Sequence, residues 1–118
     1  MHAKSDENWS EGYRCYESNS LNVAASRLYY AVFQAVLFYA REKQHYGRDE
    51  NHSVHSDMVK LLRREYVGHP YQIKAFLGLL KLRKMADYDP DNPQKTEIQP
   101  LLNDANSMRA FFLNAAES

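Results

Sequence analysis

The sequence predicts an all-α protein, an up-and-down bundle of four to five helices. Of its 118 residues, 44% are apolar, which is enough for the core of one domain. It contains only four glycines and four prolines, so the frequent turns of a β-sandwich or barrel are missing. Between those residues, apolar side chains recur at intervals of three and four, the period of a helix with one buried face. We therefore expect a single helical domain spanning residues 1–118.

Charge and cysteine content favour a cytoplasmic protein. Fifteen basic and fifteen acidic side chains cancel, so any binding of nucleic acid or anionic lipid must be local. Cys15 is the single cysteine, which excludes an internal disulfide and fits a reducing compartment. Residues 1–8 are polar, unlike the start of a signal peptide. The longest apolar run, residues 28–40, is shorter than the roughly 20 residues that cross a bilayer, so no membrane contact is expected.

Two helices are predicted within the first 43 residues. The first covers about residues 6–17, with Ser5 as its N-cap. The second covers Leu21–Lys43, with Ser20 as its N-cap, and it is apolar on nearly every side. Aromatic side chains outside its main stripe include Tyr29, Tyr30, Phe33 and Phe38. A chain of this size rarely encloses such a helix alone, so we expect a homodimer.

The remainder of the chain predicts three further helices after an exposed loop at 45–53. One covers about residues 54–66, and the next covers 71–87 with two neighbouring apolar stripes, one for the core and one for a partner. The last helix is predicted to begin at a capping box formed by Thr96 and Gln99, with Pro100 in its first turn.

A basic stretch is the one charge asymmetry in the sequence. Between positions 60 and 84 there are seven basic residues against the single acid Glu65, whereas residues 87–104 are mostly acidic. The seven are Lys60, Arg63, Arg64, Lys74, Lys81, Arg83 and Lys84. They are either an RNA-backbone track, in which Lys60 and Arg64 would be ligand-binding residues, or the solvated faces of ordinary helices.

Two strings, together with a His-Ser pair between them, resemble the HEPN superfamily, and in particular its small stand-alone prokaryotic proteins of the UPF0332 type. The first string, at 26–35, reads Ser-Arg-Leu-Tyr-Tyr-Ala-Val-Phe-Gln-Ala, and the second, at 82–88, reads Leu-Arg-Lys-Met-Ala-Asp-Tyr. The pair is His55 and Ser56. Order and approximate spacing match from about residue 22 to residue 89, more than half of the chain.

The resemblance implies a HEPN-like helical bundle that forms a homodimer. It also implies a partner, a minimal nucleotidyltransferase, with which the protein would act as a toxin–antitoxin pair. Active members of the superfamily are metal-independent ribonucleases with an arginine and a histidine four to six residues apart at the dimer cleft. Arg83 matches that arginine, but Tyr88 stands five residues later and no histidine follows it. Tyrosine, with a usual pKa near 10, is a poor general base.

Each candidate site residue has a functional and a structural interpretation. Arg83 and Tyr88 are the candidate catalytic residues, and with Asp87 they are candidate ligand-binding residues. Arg83 and Asp87 also have the spacing of an ion pair within one helix, with Tyr88 packing at its end. His55 is a further candidate ligand-binding residue or an ordinary capping side chain. No acid or thiol nearby completes a metal site with it, so neither a metal nor another cofactor is expected.

Three functions remain open at this point. The first is a dimeric partner of a nucleotidyltransferase that binds nucleotide or RNA. The second is a metal-independent ribonuclease toxin, so the sequence leaves it uncertain whether the protein is an enzyme. The third is a non-catalytic helical interaction protein.

Overall fold

The computed structural model describes residues 3–43, 60, 62–64, 68, 70–86, 88 and 93–117. Within these ranges the chain forms helices and turns and no strand. The elements are α1 (Ala3–Glu17), α2 (Leu21–Lys43), α3 (Pro70–Ala86), α4 (Lys95–Ile98), a 3-10 turn (Gln99–Leu101) and α5 (Leu102–Glu117). Residues 60 and 62–64 are helical, as predicted for 54–66, whereas the other residues of that segment and the loop predicted at 45–53 lie outside the described ranges. The all-α prediction is confirmed.

Helix α2 is the centre of the core, with α1, α3 and α5 packed around it. Tyr29 is fully buried and stacks on Phe76 of α3, with ring centroids 5.1 Å apart. Tyr39 packs edge-on against Phe112 of α5, also at 5.1 Å. Phe33 is 6% exposed. One copy of the chain thus covers most of α2. The sequence predicts an uncovered apolar side on this helix, but Tyr29 and Phe33 are both buried within a single copy.

The connection between α1 and α2 is a Schellman motif that turns the chain back on itself. Asn19 has a φ of 65°, the left-handed conformation that asparagine tolerates better than most residues. The backbone amide of Ser20 donates to the carbonyl of Cys15 at 2.8 Å, and the backbone amide of Asn19 donates to the carbonyl of Tyr16 at 3.2 Å. Ser20 precedes α2 as predicted, and its carbonyl accepts the first helical bond, from Ala24. The motif sets α1 against α2 as a helical hairpin.

Ser5 is not the cap of the first helix, because α1 begins at Ala3 and includes it. The Ser5 side chain is 1% exposed, and its hydroxyl donates to the carbonyl of Ala31 on α2 at 2.7 Å. The Arg109 guanidinium of α5 donates to the same hydroxyl at 3.3 Å and to the Asp6 carboxylate at 2.6 Å. Ser5 therefore joins three helices, a role that a helix-start pattern cannot reveal.

The predicted cap of the last helix is two residues too late. Gln94 is the N-cap residue, and its backbone amide donates to the Glu97 carboxylate at 2.9 Å. Starting at Lys95 places Ile98 in the core, where it is fully buried. Pro100 falls in the 3-10 turn rather than at the helix start. It lies among the first residues of that turn, where the amide hydrogen that proline lacks would have no acceptor within the turn.

By length and composition α2 could cross a membrane, and it is the single such helix found among the described residues. However, 61% of its most apolar window is buried by the rest of the protein, and core helices of water-soluble proteins meet the same criterion. The folded chain is compact, measuring 39 × 27 × 25 Å. We therefore assign α2 to the core.

Close packing of α1 on α2 depends on Gly12. A Cβ atom added there would lie 2.8 Å from Leu28 Cγ and 3.0 Å from the Leu28 amide nitrogen. Leu28 is fully buried, so the two helices would have to separate. We expect Gly12→Ala to lower the free energy of unfolding by about 1–3 kcal/mol, measured by urea denaturation, despite the better helix propensity of alanine.

Gly78 of α3 provides the matched control. A Cβ atom there would meet only the tip of the Leu101 side chain, at 3.0 Å, and Leu101 is half-buried and can rotate. Gly78→Ala should therefore change stability much less, or raise it through helix propensity. Equal effects of the two substitutions would contradict the close approach at Gly12.

Candidate anion-binding site

Arg83 lies in the last turn of α3, where its guanidinium reaches the surface of α2. Its Nη2 donates to the Tyr30 hydroxyl at 2.8 Å. The guanidinium carbon lies 4.9 Å from the centroid of the Tyr30 ring and 5.7 Å from that of Tyr29. These contacts combine a hydrogen bond with cation–π attraction, so the position of the cation is fixed by the protein.

The support beneath Arg83 is an aromatic cluster. Tyr29 stacks on Phe33 as well as on Phe76, and its ring meets that of Tyr30 edge-on at 5.4 Å. Burial raises the pKa of the Tyr29 hydroxyl far above its usual value, and the nearby Arg83 charge offsets only part of that rise. Tyr29 is therefore a neutral core residue, unsuited to act as a base.

A second arginine shares the pocket in front of Arg83. The pocket, of about 600 Å³, lies between the first turns of α2 and the end of α3. Its described lining residues are Asn22, Val23, Ser26, Arg27, Tyr30, Arg83 and Ala86. Arg27 Nη1 donates to Asn8 Oδ1 of α1 at 3.1 Å. We call this feature the Arg83 pocket.

No described residue that lines the Arg83 pocket carries a carboxylate. The nearby acid on α1, Glu11, forms an ion pair with Arg14. The hydrogen bond from Arg14 is the main cause that lowers the pKa of Glu11, and the charge of Arg27 adds to the lowering. Both guanidiniums of the pocket are thus held by neutral oxygens, of Tyr30 and Asn8. Two cations with hydroxyl and amide donors beside them favour an anion, above all a phosphate.

Tyr88 does not line the Arg83 pocket. It is 89% exposed and borders a separate surface groove on α3, which has a volume of about 510 Å³. That surface, which we call the α3 groove, is lined by Leu77, Leu80, Lys81, Lys84, Met85 and Tyr88. Its leucines and Met85 are half-buried and pack on the edge of the core. The leucines of the α3 groove belong to the predicted stripe of Ile73, Phe76, Leu77 and Leu80. The other predicted stripe is mostly core, since Ala75, Leu79 and Leu82 are buried.

The other predicted site residues are spread over the surface or lie outside the described ranges. Lys60 and Arg64 are exposed helical residues, and neither is among the described lining residues of the two surfaces. Asp87 and His55 lie outside the described residues, and so does the predicted ion pair between Arg83 and Asp87. Of the predicted site residues that the structure describes, Arg83 alone lines the Arg83 pocket.

Sequence reasoning missed Arg27, Ser26 and Asn22 as site residues. Arg27 and Ser26 belong to the first string of the HEPN resemblance, but no role was attached to them. A signal was present, since Asn22, Ser26 and Tyr30 recur every fourth residue and form a polar edge on an otherwise apolar helix. Asn8 could not have been found, because its contact with Arg27 joins two helices.

The described residues contain no group of three or more histidine, cysteine, aspartate or glutamate side chains that could hold a metal ion.

The burial of Tyr29 predicts a loss of stability at high pH. Its pKa is higher in the folded than in the unfolded chain, so its contribution is complete below the unfolded value of about 10 and is lost as the pH rises above it. Urea titrations between about pH 8 and 11 should show a fall that approaches about 1.4 kcal/mol per pH unit for this group. Tyr29→Phe should remove that component. Tyr13→Phe, at a side chain that is 41% exposed, should not, and equal slopes in the parent and Tyr29→Phe would contradict the prediction.

In comparisons with known proteins, no family model, curated protein or solved structure matches this chain.

Proposed function

We propose that this chain is a cytoplasmic HEPN-type protein that binds the phosphate groups of a nucleotide or RNA in the Arg83 pocket and acts as a homodimer beside a minimal nucleotidyltransferase. The observation that carries the binding function is the pair of guanidiniums, from Arg27 and Arg83, that share one pocket without a described carboxylate. Arginine stays charged at any physiological pH and offers five donors in a planar fork that matches phosphate oxygens.

The contacts of Arg83 support the link to the HEPN resemblance. The two strings that carry the resemblance are far apart in sequence, and the hydrogen bond from Arg83 to Tyr30 joins them. An arginine that served only as an exposed helix residue would not need a hydrogen bond and two aromatic contacts to hold it. The nucleotidyltransferase partner and the toxin–antitoxin pairing rest on the resemblance alone.

The geometry favours a binding protein over a ribonuclease. Metal-free cleavage of RNA needs a base beside the phosphate-binding arginine. Tyr88 borders the α3 groove, and Tyr29 is buried with a raised pKa. The described part of the Arg83 pocket therefore supplies charge stabilisation without an evident proton acceptor.

For the homodimer we propose the α3 groove as the interface. Its floor is apolar, and its exposed lysines are Lys81 and Lys84. The carboxylates of Glu97 and Asp104 lie on the elements that pack beside α3. In the pairing that we propose, both copies cover their leucines across a two-fold axis and the exposed lysines of one copy face acids of the other.

Binding to the Arg83 pocket is tested with the intact protein, ATP and a fluorescently labelled single-stranded RNA in EDTA. We expect Arg83→Ala to weaken binding at least about tenfold, because a charge-assisted contact is lost. Arg83→Lys should weaken it less, since the charge stays while the fork and its bond to Tyr30 are lost. Lys74→Ala, an exposed cation on the same helix outside both surfaces, is the control.

The same incubations, extended to total RNA and analysed on gels, separate the two readings of Arg83. Binding without cleavage supports the proposal. Cleavage by the parent that disappears in Arg83→Ala would replace it with the ribonuclease. No binding of either ligand by a folded parent, checked by circular dichroism, would overturn both and leave a helical interaction protein.

The dimer is tested by sedimentation equilibrium at micromolar concentration. Because Lys81 and Lys84 are exposed, reversing both to glutamate should leave the fold intact and raise the dimer dissociation constant at least about tenfold through lost attraction. Lys74→Glu on the same helix should have little effect. A parent that sediments as a monomer would overturn the proposed dimer, and a dimer unaffected by the reversal would move it away from the α3 groove.

A further inference from the structure

We infer that the Arg83 pocket selects a terminal phosphate, a phosphomonoester dianion, over the phosphodiesters within an RNA strand. This inference rests on the proposed function and narrows its ligand. Its basis is that two guanidiniums line the pocket and that each is held by a hydrogen bond to a neutral oxygen.

The first step concerns charge. A phosphodiester carries one negative charge, whereas a phosphomonoester carries about 1.5 to 2 at neutral pH. Arg27 on α2 and Arg83 on α3 both line the pocket, and their described hydrogen-bond partners in the protein are the neutral oxygens of Asn8 and Tyr30. Glu11 interacts with Arg27 only at longer range and is itself paired with Arg14, so both guanidiniums remain cations that a dianion balances better than a diester.

The second step concerns geometry. Arg27 and Arg83 come from different helices, and each spends one donor on the contact that orients it, which leaves the rest of the fork for a ligand. Ser26 and Asn22 also line the pocket. A terminal phosphate has three free oxygens to receive donors from both sides, whereas a diester has two, because its other oxygens are tied into the strand.

The third step concerns room. A volume of about 600 Å³ lies within the range of small-ligand sites, so the phosphate and part of its nucleoside can enter together. Free inorganic phosphate, a mononucleotide and the phosphorylated end of an RNA all present the same dianion. The pocket chemistry is common to these sources, and the experiment distinguishes them.

The test uses short single-stranded RNAs of one sequence, with a 5′-phosphate, with a 3′-phosphate or with hydroxyls at both ends. Their internal diesters are identical, so any difference belongs to the terminal group. We expect at least one phosphorylated RNA to bind at least about tenfold more tightly than the hydroxyl-ended RNA. Competition with inorganic phosphate and with AMP then shows whether the dianion alone is recognised or a nucleoside is needed.

Asn8→Asp is the decisive variant, with Asn106→Asp as its control. The substitution keeps the size of the side chain and places a carboxylate on Arg27, which should strengthen the helix contact while cancelling one of the two charges. We expect the preference for the phosphorylated end to fall to near unity. Asn106 accepts a hydrogen bond from Arg109 Nε at 3.1 Å, away from the pocket, so the same change there should leave the preference intact.

The outcomes separate this inference from the proposed function. If the RNAs bind equally and binding still requires Arg83, the proposed function stands and the terminal-phosphate preference is wrong. If the preference exists but survives Asn8→Asp, it arises elsewhere and the inference is overturned. If no RNA, AMP or phosphate binds, both are overturned. A preference lost in Asn8→Asp and kept in Asn106→Asp supports the two-arginine site.

Discussion

The position of Arg83 depends on one aromatic stack in the core. Tyr29 lies between Phe33 of its own helix and Phe76 of α3, and this contact fixes the two helices against each other. Arg83 follows Phe76 by seven residues on α3, about two helical turns, so it is brought to the same side and lies over the edge of the stack. The pocket is therefore a consequence of core packing: a change that loosens Tyr29 against Phe76 displaces the guanidinium as well.

Helix α1 supplies what the two-helix contact lacks. The turn at Asn19 and the absent side chain at Gly12 let α1 lie close along α2, and Ser5 ties it to the Ala31 carbonyl. That alignment brings Asn8 to Arg27. A short polar helix with few buried apolar residues thus has two roles, since it covers one side of α2 and orients the second arginine of the Arg83 pocket.

The sequence predicts best the helices that are defined by a regular spacing of apolar residues. The bounds of α2 agree with the prediction, and those of α3 differ by one residue at each end, because long apolar repeats define them. What it misses depends on contacts between helices. Serine is a common N-cap residue, yet Ser5 lies in a buried hydrogen-bond network. Thr96 has the right spacing to Gln99, yet burial of Ile98 moves the helix start to Lys95. Arg83 was found through the family resemblance, whereas Arg27 required the three-dimensional arrangement. The predicted exposure of α2 overlooked how completely α1, α3 and α5 cover it.

The neutral partners of the two arginines give the pocket its character. A carboxylate in place of the Tyr30 hydroxyl or the Asn8 amide would hold a guanidinium more firmly, but it would also cancel the charge that an anion needs. A phenol and an amide orient each cation through a hydrogen bond without adding a negative charge at the point of contact. The free energy of leaving a cation without a contacting carboxylate is small while water solvates the pocket, and it becomes binding energy when an anion displaces the water. A chain with equal numbers of acids and bases can therefore contain a local phosphate site without a basic surface overall, because what matters is which cations are left without an acid.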